Sequence, residues 1–197
     1  AIRASTRISN PGCYPTGVIA LVRPLVARGL LPVSHPLTVN AVSGYSGGGN
    51  AMIAEFENAD APNPTRDNYR IYGLSQKHKH PPEMMRYSRL ANLPVFAPAV
   101  GRFAQGMIVE VPLALWALPG KPKRAALHEA LTQAYEGERF VRVVPLAESD
   151  RLTGLEPEAC NGTNRLELYV FGSDDQARLV ARLDNLGKGA SGAAVQN

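Results

Sequence analysis

Apolar residues recur along this chain at two different periods. Over residues 15–28 the positions Val18, Leu21, Val22, Leu25 and Val26 fall at helical spacing, and Gly29 stands where such a helix would stop. Residues 123–135 repeat that pattern, with Ala126, Leu127, Ala130, Leu131 and Ala134 on one face. Residues 37–43 alternate instead, as a half-buried strand does, and 7–9, 69–74, 94–100, 106–115 and 141–144 read as further strands. The segment 106–115 is apolar enough for a sheet interior. Residues 163–171 and 176–183 flank Gly172-Ser173-Asp174-Asp175, which predicts a hairpin. A short helix is expected over 52–57, a surface loop over 58–68, and a helix over 189–197 that is still running at its last residue. These elements predict an α+β domain, a mixed and largely antiparallel sheet with helices on one face.

Composition narrows the partners. A chain of 197 residues, 45% hydrophobic and 19% charged, carries one ordinary globular core. The formal charge of +4 is spread out, with local clusters only at 76–80 and 121–124, so the dense basic stripe of a nucleic-acid binder is missing. No apolar run approaches the roughly 20 residues of a membrane span, and residues 1–7 lack the apolar core of a secretory signal. Two cysteines are too few for a disulfide scaffold, and a cytoplasmic location is expected.

One of those cysteines sits in Asn10-Pro11-Gly12-Cys13-Tyr14-Pro15-Thr16-Gly17, a tight turn running into the first helix. A thiol at a helix N-terminus faces unpaired N–H groups and the positive end of the helix dipole, which favour the thiolate. The alternative is a buried structural cysteine. Cys160, in a polar stretch with no helix start nearby, is assigned no chemistry. Two further segments carry candidate groups. Residues 43–49, Ser-Gly-Tyr-Ser-Gly-Gly-Gly, join a strand to a helix start, a geometry that binds anions through backbone N–H groups; a plain flexible turn is the alternative. Its spacing is not that of a dinucleotide fingerprint, and no βαβ unit follows. In Lys77-His78-Lys79-His80-Pro81-Pro82-Glu83, an extended backbone turns His78 and His80 to one side and the two lysines to the other. A metal would need a third ligand at a recognisable spacing and only Glu83 is near, so no metal is expected. Cations beside the histidines favour neutral imidazole. Arg102, between two strands, is a candidate for a substrate carboxylate or a solvated rim residue.

The Cys13 segment resembles the active-site signature of the N-acetyl-gamma-glutamyl-phosphate reductases, and 77–83 is similar to that family's Lys-His-Arg-His-x-Pro-Glu segment. The glycine loop, Gly101-Arg102-Phe103 with Gly106-Met107, and residues 188–197 extend the resemblance over nearly the whole chain. The family would place a basic residue after the last glycine of the loop, where Asn50 stands. The resemblance implies the catalytic-domain fold of glyceraldehyde-3-phosphate dehydrogenase and a chain, 1–197, that is the catalytic and dimerisation domain. An amino-terminal Rossmann domain that binds NADPH would lie outside it. Also implied are reduction of an acyl phosphate through a thioester on Cys13, with His78 as proton donor or acceptor and His80 supporting it, and a homo-oligomer. On this basis Asn10, Ser43, Gly44, Glu83 and Arg102 are expected on the substrate side, and Gly47, Gly48 and Asn197 on the cofactor side. Two readings from other classes are a non-catalytic oligomerisation module and a Cys-His hydrolase.

Overall fold

A computed structural model describes residues 4–197. Its strands are β1 (Thr38–Gly44), β2 (Tyr69–Ile71), β3 (Val95–Gly101), β4 (Met107–Ala114), β5 (Val141–Val143), β6 (Leu166–Gly172) and β7 (Gln176–Leu183). They form one seven-stranded sheet in the order β2-β3-β1-β4-β7-β6-β5. The pairs β1–β3 and β5–β6 are parallel and the other neighbours antiparallel, so the sheet is mixed and largely antiparallel as its sequence predicts. The helices are α1 (Cys13–Ala27), α2 (Gly49–Glu57), α3 (Pro81–Ser88), α4 (Arg124–Ala134), α5 (Leu146–Ser149) and α6 (Gly192–Gln196).

Alternation along the central strands decides which face the helices cover. Met107, Val109, Val111 and Leu113 of β4 and Leu179, Ala181 and Leu183 of β7 form one core with Val18, Leu21, Val22 and Leu25 of α1 and Leu127, Ala130 and Leu131 of α4. Gly17 sets the depth of α1 on this face: a Cβ there would lie 3.1 Å from the Cβ atoms of Val109 and Ala181, which face each other across the β4–β7 pair. The opposite face carries Ile108 and Glu110 of β4, Arg178, Val180 and Arg182 of β7, and Glu167, Tyr169 and Phe171 of β6. Among the described residues the buried apolar cluster there is small, Val144, Tyr169 and Val180, with Ile108, Leu155 and Phe171 partly buried beside it. Arg182 makes the most protected ion pair on this face, with Glu167, and Tyr169 donates its hydroxyl to the same carboxylate at 2.8 Å.

The structure moves several boundaries. Residues 7–9 are exposed irregular chain, not a strand, because the sheet edges are β2 and β5 and no strand pairs with them. β2 stops at Ile71 rather than reaching residue 74, since Gly73 takes a positive φ of 66° that turns the chain. α1 begins at Cys13, not after it, and Thr16 closes the first turn by donating both its backbone N–H and its hydroxyl to the Gly12 carbonyl. The final helix is replaced in its first half by a π-turn over Gly187–Ser191, followed by the short α6.

Pro24 lies inside α1 and has no N–H to give to the Ala20 carbonyl one turn back. The Tyr135 hydroxyl donates to that carbonyl at 2.8 Å, so the end of α4 supplies what the proline removes. Tyr135→Phe should therefore cost about 1–3 kcal/mol, the usual cost of a carbonyl left unsatisfied. In a Pro24→Ala background, where the helix can restore its own bond, the loss should shrink; urea unfolding of the four proteins of this cycle measures the difference.

Candidate active site

Cys13 is placed by three contacts that come from far along the chain. Its neighbour Gly12 donates its N–H to the carboxylate of Glu83, at 3.1 Å to one oxygen and 3.3 Å to the other, which ties the turn to the start of α3. Gly189 of the π-turn presses from behind: a Cβ there would lie 2.8 Å from the Cys13 Cβ. The His80 ring lies over Gly12, with Nε2 the atom nearest to where a Cβ of residue 12 would be, at 2.5 Å. Glycine at 12 and 189 is thus a demand of close approach on both sides of the nucleophile candidate.

The two histidines form one unit. Their ring centroids are 4.6 Å apart, and the His80 backbone N–H donates to His78 Nδ1 at 3.2 Å. A ring nitrogen that accepts carries no proton, so neutral His78 holds its proton on Nε2. His80 is 8% exposed and its Nδ1 has no hydrogen-bond partner. Tyr14 and Tyr72 back the pair, with Tyr72 donating its hydroxyl to that of Tyr14 at 2.8 Å.

A cleft of about 410 Å³ opens in front of Cys13. Its far wall is the end of β1 and the glycine loop: Ser43, Gly44, Ser46, Gly47, Gly48 and Gly49, with Met52 of α2. The loop is held from outside by the 101–106 connection, since Gly44, Tyr45 and Ser46 donate their N–H groups to the carbonyls of Gly106, Phe103 and Ala104. From below comes Asn185, buried just past β7; its Oδ1 accepts the Gly106 N–H at 2.7 Å and its Nδ2 donates to Ser46 Oγ at 3.0 Å.

Electrostatics in this cleft is governed by loss of water. Burial pushes the Cys13 thiol above its ordinary value. The backbone N–H groups of Tyr14 and Cys13 and the charge of Lys79 pull the other way, and Glu83 adds to the rise. The helix start exists as expected, but desolvation outweighs it, so the expectation of a favoured thiolate does not hold for the free cleft. Burial also holds His78 below its usual range, with Lys79 adding to it, and pushes His80 down to about 4, with His78 and Lys79 adding to that. Both imidazoles are neutral at pH 7, mainly through burial and only secondarily through the neighbouring cation.

Of the residues singled out in the sequence, Cys13, His78, His80, Ser43, Gly44, Gly47 and Gly48 line this cleft together. Lys79 joins them, contrary to the expectation that both lysines face away. His80 is in a helical conformation (φ −84°, ψ −32°), which breaks the two-residue alternation. Glu83 and Asn10 line a separate hollow of about 400 Å³ beneath the turn, so Glu83 acts on the Gly12 backbone rather than facing the cleft. Asn197 donates its amide to Asn10 Oδ1 at 2.8 Å. Arg102 lies elsewhere, donating to the carbonyls of Asp67, Phe56 and Thr65 and covering the Phe56 ring, where it fastens the 58–68 loop. Sequence reasoning missed Tyr72, Asn185 and Gly189. Only Asn185 had a local signal, a buried polar pair, Asp184-Asn185, directly after an apolar strand. Cys160 is fully buried, away from the cleft, and burial with Glu167 beside it pushes its thiol up to about 11. Among the described residues no cluster of three metal-ligating side chains occurs, and no helix is long and apolar enough to cross a membrane.

Comparison with known proteins gives three findings. Residues 13–185 match the family model described as semialdehyde dehydrogenase, dimerisation domain. Proteins named N-acetyl-gamma-glutamyl-phosphate reductase from Brucella ovis and Brucella suis are each 55% identical to the chain over 192 residues, covering 96% of it. The chain spans 62% of the length of each of these relatives. In fold it is similar to aspartate semialdehyde dehydrogenase II from Vibrio cholerae (TM-score 0.65, 16% identity, 96% of this chain and 60% of that one). It is equally similar to a probable aspartate-semialdehyde dehydrogenase from Pseudomonas aeruginosa (TM-score 0.66, 14% identity, 99% and 63%).

The direction of these shifts sets a test. Iodoacetamide should alkylate Cys13 well before the enclosed Cys160, with a rate that climbs with pH toward a midpoint above that of an ordinary thiol. Lys79→Met removes a cation and should move that midpoint up; Glu83→Gln keeps an acceptor for Gly12 but removes an anion, and should move it down. Peptide mass mapping of alkylation against pH measures all three.

Proposed function

This chain belongs to the family of semialdehyde dehydrogenase dimerisation domains, and from that premise we propose that it is the nucleophile-bearing part of an NADPH-dependent N-acetyl-gamma-glutamyl-phosphate reductase of arginine biosynthesis. The reaction converts N-acetyl-glutamyl 5-phosphate to N-acetyl-glutamate 5-semialdehyde and phosphate. The observation that carries this reading is the meeting of Cys13, His78 and His80 in one glycine-walled cleft, in a chain 55% identical to reductases of that name.

Cys13 attacks the acyl carbon. As the S–C bond forms, the thiol proton passes to the neutral His80 ring, whose basicity rises once the negative phosphate lies beside it. The oxyanion collapses, the bond from carbon to the phosphate oxygen breaks, phosphate leaves as it takes the proton from His80, and Cys13 is left as a thioester. His78, held with its proton on Nε2, is the donor toward developing negative charge. The nicotinamide ring, when bound, supplies hydride to the thioester carbonyl. Cys13 then departs as thiolate, the aldehyde is released, and the sulfur regains its proton from solvent, which supplies the one proton the overall reduction consumes.

The residues present fit the reactive end of the cofactor alone. The cleft has room for the substrate and a ring, and its wall at Gly47 and Gly48 carries no side chains. With Asn197 these glycines are the cofactor-side residues of the reading. The adenine and pyrophosphate need a βαβ unit with a glycine turn, which belongs to a Rossmann domain outside these 197 residues. That assignment is supported by the greater length of the relatives. The protein works in the cytoplasm on a small acyl phosphate, with neither nucleic acid nor membrane as partner. It self-associates through the open sheet face around Ile108, Val180 and Phe171, where apolar rows lie between ion pairs.

In the full-length protein Cys13→Ser should leave no more than a few per cent of the reduction rate, because an alcohol stays un-ionised near pH 7. Cys160→Ser should leave the rate nearly unchanged. Steady-state assays of both variants decide between the two thiols.

For this chain alone, calorimetry should find no tight NADPH binding, while sedimentation should find a dimer or larger species that Ile108→Arg dissociates. Micromolar NADPH binding, or a strict monomer at high concentration, would remove the corresponding half of the reading.

A further inference from the structure

Lys188 is only 8% exposed, which is rare for a lysine. Its partners are an amide oxygen and a ring face: Nζ donates to Gln196 Oε1 at 2.6 Å and stands 5.8 Å from the centre of the Phe140 ring. Among the described residues no carboxylate forms an ion pair with it. Water is lost from this amine, and only the charge of Glu138, which makes no ion pair with it, works against that loss, so the placement is held by the backbone around it.

That backbone is the π-turn. A π-turn carries one more residue than an α-turn would, and here it sends consecutive residues to different places. Gly189 meets the Cys13 Cβ, its N–H closing the turn onto the Asp184 carbonyl at 2.8 Å, while Lys188 reaches Gln196 at the end of α6. Gln196 Oε1 also accepts from Asn164 Nδ2 at 3.1 Å, and the next residue, Asn197, donates to Asn10, three positions before Cys13. The contacts close a ring: Cys13 to Gly189, Lys188 to Gln196, Asn197 to Asn10, and back along the chain to Cys13.

We propose that Lys188 is a positioning residue, which fixes the carboxy-terminal turn against both ends of the Cys13 segment, with Gly189 behind the thiol-bearing carbon and Asn197 on Asn10. The proposal rests on the reading of Cys13 as nucleophile. Lys188 touches no reacting atom, and its effect travels through the placement of Cys13 and Asn197. The substrate wall, Ser43 to Gly49, is held by the 101–106 connection and by Asn185, none of which is a member of this ring.

The test uses the full-length protein with Lys188→Met, Asn197→Ala, their combination, and Gln196→Leu. Each single change should lower kcat roughly tenfold through misplacement of reacting groups, with KM for the acyl phosphate within about twofold of the parent. The double variant should be no slower than the worse single one, because both changes open the same ring. Lys188→Met should also make alkylation of Cys13 by iodoacetamide several-fold faster, as Gly189 moves off the thiol-bearing carbon. Multiplying effects in the double variant, a raised KM with unchanged kcat, or an unchanged alkylation rate would each overturn the proposal. If Lys188→Met does not fold, Gln196→Leu, at an exposed position, is held to the same kcat and alkylation criteria. If the parent reduces no acyl phosphate, the reductase reading falls, and the alkylation rates alone still decide whether the ring exists.

Discussion

The seating of α1 on the sheet at Gly17 is the constraint on which the rest depends. A helix that lies directly on Val109 and Ala181 has its start carried to one end of the central strands, and Cys13 is the first residue of that helix. Two elements that also finish at this end, β1 running into the glycine loop and β7 running into Asp184-Asn185, then provide walls without any further device. A side chain at residue 17 would lift the helix and with it the thiol, so one missing methyl group couples the packing of the core to the geometry of the cleft.

Much of this was legible because it is local. The helix faces of 15–28 and 123–135, the alternation of 37–43 and the hairpin at 172–175 are consequences of period, and period survives in a sequence. The gathering of Cys13 with His78, His80 and the glycine loop could be read from a long and specific motif. Residue direction was harder. Arg102 has the chemistry to hold a carboxylate, but three carbonyls around the 58–68 loop take its guanidinium, and nothing near residue 102 in sequence announces them. Glu83 was read as facing substrate and instead holds the Gly12 N–H, 71 positions away. The Tyr135–Ala20 bond is equally invisible until α4 and α1 are side by side.

The acidity of Cys13 follows the same division. A helix start beside cations can be seen in one dimension, and it favours the anion. The opposing effect is loss of water, and it needs distant segments such as the one carrying Gly189 to pack around Cys13, which only the assembled fold does. The histidines repeat the lesson: the cation next door is visible in the sequence, whereas the burial that does most to keep them neutral is not. Charge is sequence-readable and dielectric is not.

That burial has an oxidative consequence. Peroxides and disulfides react with thiolate, and a half-enclosed thiol held above its ordinary pKa offers them almost none at neutral pH. Cys160, the other thiol, is sealed in the interior and is no resolving partner for it. A sulfur that stays protonated until a ligand arrives is slow to over-oxidise, and the burial that raises the pKa of Cys13 gives it that protection.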